Sequence, residues 1–219
     1  MNLDEKIISA LKDLNYEEAT EIQKKAIPVA LKKRDILAAA QSGTGKTAAF
    51  LLPILAELLE TKQTKTILRT LILVPTRELA SQISKAVEDF SKYMDISSLA
   101  MVGGVSTKDQ EKKIAKGIDI LVATSGRLME HLKNGTVDLS SVTTVVIDEV
   151  DTMLDMGFLE DIEKILPNVG PKRQIMMFSA TMNQNVKKLA KEFLKDPVVI
   201  EVAQQRSAVK IIDQQIVLV

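Results

Sequence analysis

The chain of 219 residues contains no cysteine and no tryptophan, one histidine, and only 3% aromatic residues. Without cysteine no disulfide can form, which is compatible with a reducing cytosol. With so few aromatics, the core must be built from Ile, Leu, Val, Ala and Met. Net charge is also absent, since 29 basic residues balance 29 acidic ones. A neutral total argues against adhesion to nucleic acid through a global field, so any such site must be local and built partly from backbone groups. No apolar run approaches the roughly 20 residues of a membrane span. The first six residues are polar and of mixed charge, unlike a secretory signal. The expectation is a cytoplasmic protein without a membrane partner. No internal repeat and no low-complexity tract is present.

What is present is ordinary for a packed globule: 46% apolar and 26% charged residues, at a length that suits one α/β domain. Apolar, β-branched runs at residues 36–39, 70–74, 99–102, 118–122, 144–147, 174–178 and 198–202 read as buried parallel strands. Between them lie helical spacings: Ile83, Ala86, Val87 and Phe90, then Val186, Leu189, Ala190, Phe193 and Leu194. The alternation predicts an α/β fold, an open, mostly parallel sheet with helices on both faces. Residues 61–66 read as a polar surface loop and residues 204–209 as a linker. A last strand-like run at residues 214–219 is expected to be disordered or to add to a neighbour's sheet edge.

Two segments carry chemistry. Ala40-Gln41-Ser42-Gly43-Thr44-Gly45-Lys46-Thr47 follows a strand and precedes a helical run, the context a phosphate-binding loop requires. Gly43 and Gly45 let backbone N–H groups turn inward, Lys46 reaches for the β- and γ-phosphates, and the Thr47 hydroxyl is a magnesium ligand. The alternative is a glycine-rich turn before an ordinary helix. Asp148-Glu149-Val150-Asp151 closes another apolar strand, at the end where open α/β sheets hold ligands. There Asp148 would hold the metal through water, and Glu149 would orient or deprotonate an attacking water. The alternative is a solvated acidic loop. Together the two segments point to ATP or a close relative with Mg2+. The lone His131, near a predicted helix C-terminus ahead of Gly135, reads as structural.

From Tyr16 onward the chain resembles, in order, the first of the two RecA-like domains of a DEAD-box RNA helicase of bacterial type. Tyr16 and Thr20-Glu21-Ile22-Gln23 resemble the adenine-reading Q motif, and residues 40–47 resemble motif I. Pro75-Thr76-Arg77-Glu78-Leu79-Ala80 match motif Ia. Gly103-Gly104 resemble the paired-glycine motif and Thr124-Ser125-Gly126-Arg127 motif Ib. Residues 148–151 resemble motif II, and Ser179-Ala180-Thr181 match motif III. The resemblance implies that Gln23 reads the adenine edge, that Tyr16 stacks on its face, and that Ser42, Gly43, Thr44, Gly45, Lys46 and Thr47 cradle the phosphates. It implies that Pro75, Arg77, Thr124 and Arg127, with the backbone at Gly104, bind the sugar-phosphate of single-stranded or short duplex RNA. Ser179, Thr181 and Asp151 would couple the acidic motif to RNA. Without the resemblance, Gln23 reads as an exposed helix residue, Tyr16 as a cover on the core edge, and Ser179 to Thr181 as a helix cap.

Departures from the family pattern are Val150 in place of alanine, Ala19 and Ser125 in place of proline, and Ser42 in place of threonine. The resemblance divides the chain into a RecA-like domain at residues 1–203, with the Q-motif region at 1–28, and a linker with the start of a second domain at 204–219. The expectation is a monomeric ATP-binding half of an RNA helicase. It lacks the second RecA-like domain and that domain's arginine fingers, and so hydrolyses ATP slowly alone. A nucleotide-gated RNA clamp and a DNA helicase are the alternatives.

Overall fold

A computed structural model describes residues 3–61 and 66–202. Two helices lead, α1 (Glu5–Asp13) and α2 (Glu21–Leu31). There follow β1 (Ile36–Ala39), α3 (Lys46–Glu60), β2 (Thr70–Val74), α4 (Arg77–Phe90), β3 (Ser98–Met101), α5 (Thr107–Ala115), β4 (Ile120–Thr124) and α6 (Ser125–Lys133). Then come β5 (Thr144–Ile147), α7 (Val150–Asp155), α8 (Leu159–Ile165), a short 3-10 turn, β6 (Gln174–Ser179), α9 (Gln184–Phe193) and β7 (Val198–Glu201). The strands form one sheet of seven in the order β3-β4-β2-β5-β6-β1-β7, and every pairing is parallel. The predicted class is therefore the observed one.

Side chains alternate across each strand and divide the apolar residues into two cores. Ile36, Ala38, Ile72, Val74, Ile120, Val122, Val146, Met176 and Phe178 join residues of α2, α3 and α4 on one face. Leu37, Leu71, Leu73, Leu121, Ala123, Val145, Ile147, Ile175 and Met177 join α6, α7, α8 and α9 on the other. Each fully buried Leu, Ile or Phe contributes about 1.5–3 kcal/mol, so a sheet covered on both faces needs runs apolar at every position. Helix α3 is buried almost all round, from Lys46 to Leu58, because α2 and α4 flank it above the sheet. Phe50 of α3 meets Phe178 of β6 with ring centroids 5.3 Å apart, which locks the helix over the sheet's centre.

Connections place the site. From β1 the chain crosses through α3 on one face to β2; from the adjacent β6 it crosses through α9 on the other face to β7. The loops thus part above the C-terminal ends of β1 and β6, the switch point at which such sheets take ligands. Predicted strand limits shift in four strands, the seventh ending one residue early at Glu201. The fourth strand starts at Ile120, not residue 118, because Asp119 is spent on a turn: its carboxylate pairs with Arg69 at 2.7 Å and accepts from Ser97 N at 3.0 Å. The third ends at Met101 because the Val102 carbonyl accepts from Gln110 Nε2 at 3.1 Å. The sixth runs on to Ser179. Residues 62–65 of the loop expected at 61–66, the linker and the last strand lie outside the described residues.

Candidate nucleotide and nucleic-acid sites

The loop after β1 opens with Ala40 N donating to Ser179 O of β6 at 3.0 Å. Thr44 Oγ1 then closes a turn on Gln41 O at 2.6 Å, and Gly43 and Gly45 take φ of 80° and 92°. Ser42 and Gly43 are exposed, while Thr44, Gly45 and Thr47 are partly covered at the start of α3. Lys46 is 7% exposed, and its Nζ has no hydrogen-bond partner among the described residues. A buried ammonium left in that condition is costly unless an anion completes it. A helix N-terminus beneath a glycine loop supplies the setting for a phosphate.

Asp148 follows β5 on the neighbouring side. It is 2% exposed, held by Asp148 N donating to Leu73 O at 3.0 Å and by Glu149 N donating to its Oδ1 at 2.9 Å. Burial pushes its carboxyl up to about 6, against the downward pull of Lys46. A buried carboxyl held only by a backbone N–H and a buried ammonium with no partner among the described residues fit a divalent cation and a polyphosphate. Glu149 sits in the left-handed region at φ 53° and ψ 50°, as the cap of α7. For a non-glycine residue that backbone costs on the order of 1–2 kcal/mol, the kind of strain that collects at working sites.

Gln23 departs from the exposed helix residue that the bare sequence allowed. It is buried, and both ends of its amide are engaged: Oε1 accepts from Thr20 N at 2.9 Å, and Nε2 donates to Gly45 O at 3.1 Å. The residue thus ties the start of α2 to the glycine loop. Tyr16 is 44% exposed and meets Phe90 at the end of α4, with centroids 5.6 Å apart and planes at 82°. It covers the edge of the core while leaving part of its ring open.

A second hollow of about 490 Å³ lies at the ends of β2, β3 and β4. It brings together Pro75, Arg77, Gly103, Thr124 and Arg127 from separate stretches of the chain. Arg77 lies on the paired glycines: a Cβ at Gly104 would stand 2.4 Å from its Nη1 and displace the guanidinium, and the φ of 79° there itself favours glycine. Arg127 is more committed than the sequence implied. Its guanidinium donates to Thr107 Oγ1 at 2.8 Å, Glu130 Oε2 at 2.8 Å and Val105 O at 3.2 Å. Glu130, Met156 and Phe158 also line the hollow and were not singled out from sequence. The signal for Glu130 was its place three residues after Arg127 on one helix face. Phe158 was foreshadowed by Gly157, whose φ of 84° turns the chain back after α7.

The three residues expected to couple the acidic motif to RNA lie together. Asp151, 7% exposed, accepts from Thr181 N at 2.9 Å and Ala180 N at 3.4 Å. Burial raises its carboxyl, but bonding from Thr181 and the closeness of Ser179 outweigh that and leave it below the usual range. Ser179 is fully buried. Val150 is fully buried in the second core, so its extra methyl groups add to that core. His131 is fully buried, and both ring nitrogens have partners.

Residues 20–189 match the sequence profile of the family described as DEAD/DEAH box helicase. The chain is 42% identical over 218 residues to a probable ATP-dependent RNA helicase ddx27 of Dictyostelium discoideum, covering 99% of this chain and 28% of that protein. It is 43% identical over 198 residues to the ATP-dependent RNA helicase DeaD of Escherichia coli strain K12, covering 90% of this chain and 31% of that protein. It thus spans well under half the length of these curated relatives. Among solved structures it is similar to a DEAD box protein from the hyperthermophile Methanococcus jannaschii. That similarity has a TM-score of 0.86 and 36% identity, over 92% of this chain and 54% of that one. With a profile match running from the cap of α2 to the middle of α9, across the glycine loop, the acidic strand end and the hollow, the chain belongs to the DEAD/DEAH box helicase family.

Proposed function

We propose that the chain is the Mg2+-ATP-binding half of an ATP-dependent RNA helicase that separates or remodels short RNA duplexes. The observation that carries the reading is the buried Lys46 ammonium, without a hydrogen-bond partner among the described residues, near enough to the buried Asp148 carboxyl to pull its titration down. Lys46, Ser42, Gly43, Thr44 and Gly45 hold the phosphates, and Thr47 and Asp148 hold the cation. When bound, magnesium neutralises charge on the phosphates. Glu149, fixed by its left-handed backbone, orients the attacking water and accepts its proton. Gln23 and Tyr16 recognise adenine. Because Gln23 already grips Gly45 O, adenine recognition and loop shape share one side chain.

The hollow lined by Pro75, Arg77, Thr124 and Arg127, next to Gly104, takes the sugar-phosphate of single-stranded RNA. Asp151, with Thr181 and Ser179, joins that region to the catalytic carboxylates. A second RecA-like domain in cis completes the site with arginine fingers, worth roughly a thousandfold or more in rate, so this chain alone hydrolyses ATP slowly. ATP-dependent separation of a short RNA duplex by the whole protein, abolished in Glu149→Gln, tests the proposal. RNA held in ATP with no strand separation would make the protein a clamp instead.

A further inference from the structure

His131 is the only histidine in the chain, is wholly buried, and has no part in the chemistry above. Its Nε2 lies 3.1 Å from Gln110 Oε1 and its Nδ1 lies 2.7 Å from Thr136 Oγ1. Gln110, 2% exposed, donates from Nε2 to Val102 O at 3.1 Å. Val102 O can only accept, so the Gln110 amide must turn its nitrogen there and its oxygen toward the imidazole. His131 Nε2 therefore carries the hydrogen, and Nδ1 is left as an acceptor for the Thr136 hydroxyl, whose other acceptor is the His131 carbonyl at 3.1 Å. Both ring nitrogens and both ends of the Gln110 amide thus have polar neighbours within hydrogen-bond distance.

Val102 immediately precedes Gly103 and Gly104, on which Arg77 lies. The other end of the same loop is held from the same helix. Arg127, four residues before His131 and so on one face of α6, bonds Val105 O and Thr107 Oγ1. Helix α6 thus grips the paired-glycine loop at residues 102–105 at both ends, with Arg127 on one side and His131 acting through Gln110 on the other. Resting on the reading of the neighbouring hollow as an RNA site, we infer that His131 and Gln110 are positioning residues for RNA. Through the relay Thr136–His131–Gln110–Val102 they hold the glycine loop in the shape that Arg77 and the RNA backbone require, without touching RNA themselves.

The test measures binding of a short single-stranded oligouridylate at low salt, and of Mg2+-ADP, to the whole chain. Variants are His131→Phe, His131→Gln, Gln110→Met and Arg77→Ala. Expected is about a tenfold loss of oligouridylate affinity in His131→Phe and Gln110→Met, with Mg2+-ADP affinity unchanged. Amide exchange at Gly103, Gly104 and Val105 should quicken in both variants. His131→Gln, whose amide nitrogen can donate to Gln110 Oε1, should recover most of the affinity. If His131→Phe does not fold, Gln110→Met decides the matter by the same readouts. Wild-type affinity for oligouridylate in a folded His131→Phe or Gln110→Met would overturn the inference. Failure of the RNA reading itself looks different: the wild type and Arg77→Ala would then bind oligouridylate equally, or neither would bind.

Discussion

Single residues here are set by what surrounds them more than by their type. Asp148 and Asp151 are carboxylates three positions apart, yet burial lifts the first to about 6 while bonds around the second leave it below the usual range. Between its ordinary value of 3.8 and about 6, the folded chain holds a proton at Asp148 that the unfolded chain has lost. Stability therefore falls as pH rises through that window, by roughly 3 kcal/mol at this one group, and is flat above it. The expected outcome is that urea-unfolding stability of the wild type relative to Asp148→Asn declines from pH 4 to about 7. A constant difference would contradict the buried, unpaired state. Ser125 offers a second case. It is the first residue of α6, follows a residue at φ −82° and ψ 140°, and buries a hydroxyl that has no partner among the described residues. Ser125→Pro should therefore stabilise the chain by about 1 kcal/mol, or about 2–4 °C in Tm, because the position already has the backbone proline prefers. A lower Tm would show that the serine N–H or hydroxyl is needed. From sequence alone the same serine read only as a departure from proline, since its place at the first helical position is not visible in a motif.

Among the elements, the strands were the most legible, because burial on both faces demands unbroken apolar runs such as Leu71-Ile72-Leu73-Val74. Their ends were less so. Asp119 and Val102 leave their strands for side-chain partners on other elements, Arg69 fifty residues away and Gln110 eight residues on, which no strand pattern announces. The same limit applied to the site. The glycine loop and the acidic strand end stood out by spacing, whereas the grip of Gln23 on Gly45 and of Arg127 on Val105 required the fold. Gly45 shows how tightly the loop and α2 are joined: a Cβ there would lie 2.4 Å from Gln23 Nε2 and 3.1 Å from Thr20 Oγ1, at φ 92°. Gly43 has a similar φ of 80° but nothing within 4 Å. Gly43→Ala should cost about 1–2 kcal/mol through backbone strain alone, while Gly45→Ala should cost more and weaken nucleotide binding as well. Thermal unfolding of the two variants gives the comparison. Equal Tm values would mean that the Thr20–Gln23–Gly45 junction yields without cost.

At the scale of the whole molecule, one parallel sheet serves two sites along its C-terminal edge. Nucleotide chemistry is proposed above β1, β5 and β6, and RNA binding above β2, β3 and β4. The bond from Ala40 N to Ser179 O and those from Thr181 N and Ala180 N to Asp151 run between the phosphate loop, the acidic turn and the end of β6. On the proposed function, these bonds would give a change at the phosphates a short route into the rest of the edge. Binding of an adenine nucleotide by Lys46 and its loop is the central claim. The most direct measurement is calorimetric titration of Mg2+-ADP and Mg2+-GDP into the wild-type chain and into Lys46→Ala. The expected result is one site in the wild type that prefers ADP by about tenfold or more, and loss of binding in a Lys46→Ala chain of unchanged fold. Equal binding of both nucleotides, or ADP binding that survives Lys46→Ala, would contradict it.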